Sequence, residues 1–443
     1  MNSIRTDAHP FACHADGDII ARRGGQAWTM AEFRHDVTAL AQRLPQRSQV
    51  MNLCADRYRF LVSFAAALVR KQVTIMPAST APEALRAVSQ EYMDLYAITD
   101  REELPIPSMV YPPHLNTAAP FLDLQLPAQQ IASVQFTSGS TGAPKAIAKT
   151  WATLVHSART AGLRLKVTSM AGASIVSTVP HQHSYGLESG ILLALQHGFA
   201  VEARAPLYPA DVRAVLAGTP HPRILVTTPV HLRALVAEAD GMPPVDLVLS
   251  ATAALPDSLA LAAEACFAAP LMEIYGCTEA GQIAARRTAH ETEWHLFDEV
   301  TVSQNDSGNW ATGRAVEGVA PLQDLMEFTD PQHFRLGARA QDMVNVAGKR
   351  SSLPYLNSQL QSIPGVQDGV FVIDEEITTE LVQRLMAVVV APTLDPEILR
   401  HRLRERLDPV FIPRKLVLVE TLPRNALGKV VRSDLLALLG RRS

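Results

Sequence analysis

The sequence predicts an α/β fold: a large N-terminal domain of parallel-rich sheets sandwiched by helices, then a small α+β C-terminal domain. Three observations carry this. From about residue 48 onward, short apolar runs alternate with helix-length apolar or amphipathic segments, the pattern of parallel strands covered on both faces. Roughly the last hundred residues break that alternation. At 443 residues the chain is also too long for one usual core.

Taken in order, QVMNLCA reads as a strand, RYRFLVSFAAALVRK as a helix and QVTIMP as the next strand. ASIVSTVP leads through a loop to the helix LESGILLALQHG and then to FAVEAR. RILVTTP precedes VHLRALVAEA, and VDLVLSA precedes DSLALAAEACFA, which runs on to LMEIYG. In such sheets, ligands bind in the crevice outside the carboxyl ends of the strands. Four loops at those ends carry unusual residues: TSGSTGAPK, HQHSYG, SATAALP and YGCTEAG. After DMVNVAGKR a helix-like segment is followed by the strands GVQDGVFVID and RLMAVVVAP, the helix PEILRHRLRERL and the strand KLVLVE. The boundary is expected near Gln341, giving domains of 1–340 and 341–443.

With 47% hydrophobic and 19% charged residues, the composition is that of a globular chain, far from the disordered range. A net charge of -4 gives no reason to expect a nucleic-acid partner. The longest apolar stretch, FLVSFAAALV at 60–69, is about half a membrane span, so none is expected. The N-terminus lacks the basic, apolar and cleavable parts of a secretory signal. Cys13, Cys54, Cys266 and Cys277 have no CxxC spacing, which suits the reducing cytoplasm and gives no zinc site. Residues 400–443 hold eleven Arg or Lys against four acids, either a solvated helix face or a surface that meets anions.

The glycine-rich stretch admits a bulky anion. Gly139 and Gly142 let backbone amides approach closely and form a nest. Thr137, Ser138, Ser140 and Thr141 add hydroxyl donors, and Lys145 a full positive charge. Ala143 and Pro144 separate the second glycine from the lysine, so this is not the common P-loop. Phosphate binding is the expectation.

TSGSTGAPK resembles the phosphate loop of the adenylate-forming superfamily: acyl- and aryl-CoA synthetases, peptide-synthetase adenylation domains and luciferases. Further motifs follow in that family's order over roughly residues 130–435. YGCTEAG resembles the YG.TE motif and SATAALP the adenine loop. DLMEFTDPQHFRLGAR resembles the segment with a ribose-binding Asp and a following Arg, and PRNALGKVVR the motif of the adenylation lysine. The resemblance implies ATP and Mg2+ as cofactors. It places nucleotide contacts at Thr137, Ser138, Gly139, Ser140, Thr141, Gly142 and Lys145, at Ser250, Ala251, Thr252 and Ala253, at Tyr275, Gly276 and Cys277, and at Asp324 and Arg339. It implies catalytic roles for Lys429, Thr278, Glu279 and His183, with Glu279 and Thr141 toward the metal. It also implies a small domain that reorients between two half-reactions.

HQHSYG fits the family's P..H..G loop, so His183, Tyr185 and Gly186, with Gly276, are expected at the acyl pocket. A histidine and a tyrosine suit an aromatic carboxylate, although they suit a medium acyl chain almost as well. Gly348 in NVAGKR is expected where a pantetheine arm passes, and Gln341 at the hinge. The compact chain resembles stand-alone aryl-ACP ligases of the hydroxybenzoate and aryl-polyene type, with a carrier protein as acceptor. The alternative is a CoA synthetase. Ala146, Ala251, Thr252 and Gln323 stand where the family usually has glycine, and Gln341 where Asp or Lys is common. A serine hydrolase would need a GxSxG elbow, which the sequence lacks. A non-catalytic nucleotide binder would have no use for Glu279 and Lys429.

Overall fold

The computed structural model describes residues 7–77, 79–101, 104–136, 145–305, 308–339, 343–346, 349–379, 382–407, 409–425 and 428–440. Contacts divide the chain into two compact units. The larger comprises Met1–Asp306, Trp310–Leu322 and Asp330–His333, and the smaller Ser307–Asn309, Gln323–Thr329 and Phe334–Ser443. The contacts therefore group the segment just before Gln341 with the smaller unit. There the strands Asp324–Phe328 and His333–Arg339 pair antiparallel, which puts Asp324 directly opposite Arg339.

The larger unit holds two parallel-rich sheets. The first is six-stranded, in the order Ala146–Thr150, Ile131–Phe136, Val73–Met76, Gln49–Asn52, Leu95–Thr99 and Ser108–Val110. Its only antiparallel pair among these joins Ile131–Phe136 to Ala146–Thr150, with Phe136 opposite Ala146. The segment linking that pair is the glycine-rich stretch.

In the second sheet Ile19–Arg23, Ala200–Glu202, Ser174–Ser177, Arg223–Thr227, Leu247–Ser250 and Leu271–Cys277 run parallel in that spatial order. Val176, Leu225, Val248 and Leu271 pack on Val212, Leu216, Leu232, Leu235, Ala263 and Phe267 of the helices Pro209–Ala217, Pro229–Ala237 and Asp257–Phe267. Each such side chain contributes roughly 1.5–3 kcal/mol on burial. That is why RILVT is apolar throughout rather than alternating, and all five of its residues are buried.

One buried cation joins elements of the two sheets. Arg57, 1% exposed, opens the helix Arg57–Val69, which Asp56 caps through the Arg59 amide at 3.0 Å. Its guanidinium donates to the carbonyls of Ser177 (2.8 Å), Val179 (3.0 Å) and Arg204. Burial lowers its pKa to about 10, so it keeps its charge at neutral pH.

The smaller unit is built on Asp368–Thr379, Val382–Val390 and Lys415–Leu418. Period-two alternation splits Val382–Val390 between two cores. Leu385, Ala387 and Val389 face Leu356, Leu360, Leu399 and Leu403 of the helices Leu353–Gln361 and Pro396–Arg404. Met386, Val388 and Val390 face Leu435 and Leu439 at the C-terminal helix. Among the described residues no helix is long and apolar enough to cross a membrane.

Thr252, in the loop after Leu247–Ser250, has φ +82°, in the left-handed region that a β-branched side chain resists. Thr252 departs from the glycine usual in the adenine loop that SATAALP resembles, and its backbone adopts a conformation that favours glycine. A non-glycine residue there costs roughly 1–2 kcal/mol, while glycine's extra freedom in the unfolded chain costs roughly 0.4–1 kcal/mol. Thr252→Gly is therefore expected to stabilise the protein by about 1 kcal/mol, read as a higher urea midpoint. An unchanged or lower midpoint would show that contacts of the threonine outweigh the strain.

Candidate active site

The centre of the larger unit's site is a hairpin. Leu271–Cys277 and Gly281–Arg286 pair antiparallel, with Cys277 opposite Gly281, and Thr278, Glu279 and Ala280 form the turn between them. Two glycines permit this shape. A Cβ on Gly276 would meet the Gly281 carbonyl at 2.1 Å, and Gly281 has φ +77°. The Ala280 amide donates to Cys277 Sγ at 3.4 Å, and burial pushes the Cys277 thiol up to about 12.

Two buried charges hold the turn. Lys149, 1% exposed, donates from Nζ to the Glu279 carbonyl at 2.6 Å. Burial lowers the Lys149 pKa, opposed most strongly by the Glu188 carboxylate. Glu188, 2% exposed, accepts from the Gln282 amide (3.0 Å), Ser157 Oγ (2.9 Å) and Ser184 Oγ (2.7 Å). Ser189 Oγ adds a 2.9 Å bond to Gln282 Oε1. Glu188 therefore ties the helix Trp151–Arg164, the HQHSYG loop and the YGCTEAG hairpin together.

The HQHSYG loop follows Ser174–Ser177 and is fixed at its base. His181 is 2% exposed, and its Nε2 lies 2.9 Å from the Cys54 carbonyl, to which Gln182 also donates at 3.0 Å. Burial and Arg57 lower the His181 pKa to about 3, so the ring is neutral and its Nε2–H is the donor. Of the two histidines His181 is thus the framework one, and His183 is partly exposed just beyond it. Gly186 is needed because a Cβ there would meet the Pro180 carbonyl at 2.0 Å. Burial pushes the Tyr185 phenol far above its ordinary value.

Ser250, Ala251, Thr252 and Ala253 leave the carboxyl end of Leu247–Ser250, next to Leu271–Cys277, with Ser250 opposite Glu273. Glu273, 4% exposed, accepts from the Leu255 amide (3.2 Å), Arg286 Nε (2.9 Å) and Thr288 Oγ1 (2.6 Å). Burial pushes its carboxyl up against the pull of Arg286 and Thr288. Arg286 also lies 4.5 Å over the Trp294 ring, whose centroid is 5.6 Å from that of Tyr275. The loop and Tyr275 are therefore anchored by one chain of contacts.

In the smaller unit, the Asp324 carbonyl accepts from Asn309 Nδ2 at 2.7 Å. Arg339 is described by its backbone pairing alone. Lys429 is exposed on a tight turn whose ends bond reciprocally: the Lys429 amide to Asn425 Oδ1 (3.0 Å) and the Asn425 amide to the Lys429 carbonyl (2.9 Å). Arg424 brackets this turn, with a bidentate bond to Asp368: Nε donates to Oδ2 at 3.1 Å and Nη2 to Oδ1 at 2.9 Å. The basic C-terminal surface is smaller than its composition. Arg400 pairs with Glu397 and Arg424 with Asp368, while Arg402 and Lys415 donate to the carbonyls of Pro364 and Leu439. Arg404, Arg406 and Arg414 remain exposed.

Thr137, Ser138, Gly139, Ser140, Thr141, Gly142, Gln341 and Gly348 lie outside the described residues; Lys145 is exposed just after the first group. Among the described residues no cluster of three or more His, Cys, Asp or Glu is arranged to hold a metal. A lone hard carboxylate such as Glu279 fits Mg2+, which commonly binds one or two carboxylates together with substrate phosphates.

Sequence reasoning missed Lys149, Glu188, Glu273 and Arg57. The one signal was a charged residue inside an otherwise apolar segment: Lys149 in AIAKT and Glu188 in GLESGILLAL.

Residues 11–305 match the family model described as "AMP-binding enzyme", and residues 356–429 match "AMP-binding enzyme C-terminal domain". A 4-coumarate–CoA ligase of Rhodobacter capsulatus is 30% identical over 52% of this chain, a match spanning 58% of that ligase's length. A 3,4-dihydroxybenzoate–[aryl-carrier protein] ligase of Bacillus anthracis is 23% identical over 69% of this chain and 73% of its own. In fold, the chain is similar to the o-succinylbenzoate CoA synthetase of Bacillus subtilis in complex with its acyl-adenylate. The TM-score is 0.82 and the identity 18%, covering 97% of this chain and 98% of that one. With two thirds of its length under the first of these family models, the chain belongs to the AMP-binding enzyme family of adenylate-forming ligases.

Proposed function

We propose that this protein activates an aromatic carboxylic acid, such as a hydroxybenzoate, with ATP and passes the acyl group to the phosphopantetheine thiol of an acyl carrier protein. The observation that carries the reading is that the HQHSYG, SATAALP and YGCTEAG loops all leave the ends of parallel strands of one sheet, with a separate small unit bearing Lys429. The family supplies the use of ATP.

In the first half-reaction a carboxylate oxygen attacks the α-phosphorus, the bond to the β-phosphate oxygen breaks, and pyrophosphate leaves. Two anions must meet, so Lys429 neutralises the carboxylate while Thr278 donates to the α-phosphate. Glu279, with Thr141, would hold Mg2+, which would supply charge withdrawal from the phosphates. The hydroxyls and amides of residues 137–142, with Lys145, would cradle the phosphates. Asp324 and Arg339 would hold the ribose, and Tyr275, Gly276, Cys277 and the Ser250–Ala253 loop would hold adenine. His183, Tyr185 and Gly186 bound the acyl pocket.

In the second half-reaction the small domain, from Gln341 onward, reorients about that hinge. The acceptor thiol reaches the acyl carbon past Gly348, the bond to AMP oxygen breaks, a thioester forms and the thiol proton leaves to solvent. The carrier-protein choice draws on the exposed Arg404, Arg406 and Arg414, which complement an acidic partner, and on the aryl-carrier ligase among the relatives. The second reading, coenzyme A as acceptor, draws on the 30% identical coumarate ligase. Four free cysteines fit the reducing cytoplasm.

A pyrophosphate-release screen with Mg-ATP and benzoates, hydroxybenzoates, cinnamates or fatty acids tests this reading, each with carrier protein, coenzyme A or neither. Fastest turnover is expected for a hydroxybenzoate with carrier protein. Turnover with coenzyme A alone would select the second reading, and none with any acid would overturn both. Lys429→Ala is expected to slow adenylate formation at least a hundredfold. Thioester formation from preformed acyl-adenylate should change less than threefold. Equal losses in both steps would remove Lys429 from the first.

A further inference from the structure

The adenylation reading assigns Glu279 and Thr278 but leaves unexplained why a lysine and a glutamate are sealed beneath their turn. Lys149 and Glu188 lie at 1% and 2% exposure, on segments 39 residues apart in sequence. A buried charge is retained only where it has partners. Each of these spends itself on backbone or side chains of the motif loops: Lys149 on the Glu279 carbonyl at 2.6 Å, Glu188 on the Gln282 amide at 3.0 Å. The turn is therefore gripped at both ends, from below by a cation and from beyond by an anion. Gly281 makes room for the second grip, since even a Cβ there would come within 3.0 Å of Glu188 Oε2.

We propose that Lys149 and Glu188 are positioning residues that fix the Thr278–Glu279 turn, so that the Glu279 carboxylate is presented to the metal–nucleotide complex in one orientation. The assignment of that ligand rests on the adenylation reading above; the clamp itself does not. Lys149 lies on the strand that follows the glycine-rich stretch in sequence. It stands four residues after Lys145 in the strand Ala146–Thr150, and Thr150 next to it caps the helix Trp151–Arg164 and bonds Glu317 at 2.9 Å. Through Ser157 and Ser184, Glu188 carries the same grip to that helix and to the acyl-pocket loop. The hairpin that would hold the metal and the loop that would bound the acid are thus tied by these two side chains to the strand Ala146–Thr150 and the helix Trp151–Arg164.

The test compares wild type, Lys149→Arg, Lys149→Met and the double variant Lys149→Met/Glu188→Gln. The double variant leaves no unpaired buried charge, so it keeps the question open if Lys149→Met fails to fold. Two readouts are made. Hydrogen exchange of the peptide spanning 278–282 in the ligand-free protein reports the clamp alone. Calorimetric titration of Mg2+ into protein with ATP, without any acid, reports the metal–nucleotide complex and involves no turnover.

Both neutral variants are expected to exchange at least tenfold faster in that peptide, with exchange of the Val382–Val390 strand unchanged. They should also need at least tenfold more Mg2+ for half-saturation, while Lys149→Arg stays within threefold of wild type. Unaltered exchange in the double variant overturns the clamp. Faster exchange with an unaltered Mg2+ requirement overturns its role in presenting Glu279. Wild-type protein that binds no Mg-ATP and releases no pyrophosphate sinks the adenylation reading instead, and the exchange data still decide the clamp.

Discussion

A carboxylate taken out of water is stable only when its lone pairs are filled, and Glu188 fills them from three separate segments. The HQHSYG loop and the YGCTEAG hairpin are held together by that requirement. Ser157 comes from the helix after the phosphate-loop strands, Ser184 from the loop after Ser174–Ser177, and Gln282 from the hairpin beyond Leu271–Cys277. None of the three can shift without stripping a partner from a buried anion, which typically costs several times what a surface bond is worth. Arg57 applies the same logic with the opposite sign, holding the carbonyls of Ser177 and Val179 from beneath. The HQHSYG loop and the YGCTEAG hairpin are thus firmly seated in the fold.

The smaller unit follows a different rule. Its sheet is covered on both faces by apolar side chains, so it is stable without borrowing a core. Lys429, the lysine proposed for the adenylation step, stands on a turn closed by Asn425 and braced by the bidentate Arg424–Asp368 pair, whose side chains are 17% and 16% exposed. A half-buried, planar, two-bond pairing of this sort holds position better than a single exposed ion pair. A cation needed in one chemical step is well served by such a seat: fixed within its own body, which can then move as a unit.

Much of this was readable in the sequence, for identifiable reasons. The parallel strands announced themselves because burial on both faces forces continuous apolar runs such as RILVT. The hairpin at 275–281 was readable as a motif because its turn demands glycines at fixed offsets. What stayed hidden was anything set by distance rather than by spacing. Lys149 looks like an ordinary strand lysine until Glu279 is seen 2.6 Å away and 130 residues on. That His181 is a buried framework histidine shows only once its ring is seen against the Cys54 carbonyl. Asp324 and Arg339 are fifteen residues apart, and their facing positions depend on the antiparallel register that brings them together. Grouping the Asp324–Phe328 strand with the smaller unit required its contacts.

One residue of the hairpin poses a chemical problem that the fold answers. An acyl-adenylate is a mixed anhydride made to be attacked by a thiol, and Cys277 precedes Thr278 in the very turn proposed to contact it. A thiolate there would compete with the acceptor, because the thiolate is the nucleophilic form. Burial suppresses it, pushing the thiol up to about 12. The Ala280 amide, at 3.4 Å, and Lys149 pull the other way, favouring the thiolate, but desolvation is the larger effect. The same enclosure that makes the turn rigid thus keeps its sulfur inert, leaving the incoming thiol as the nucleophile.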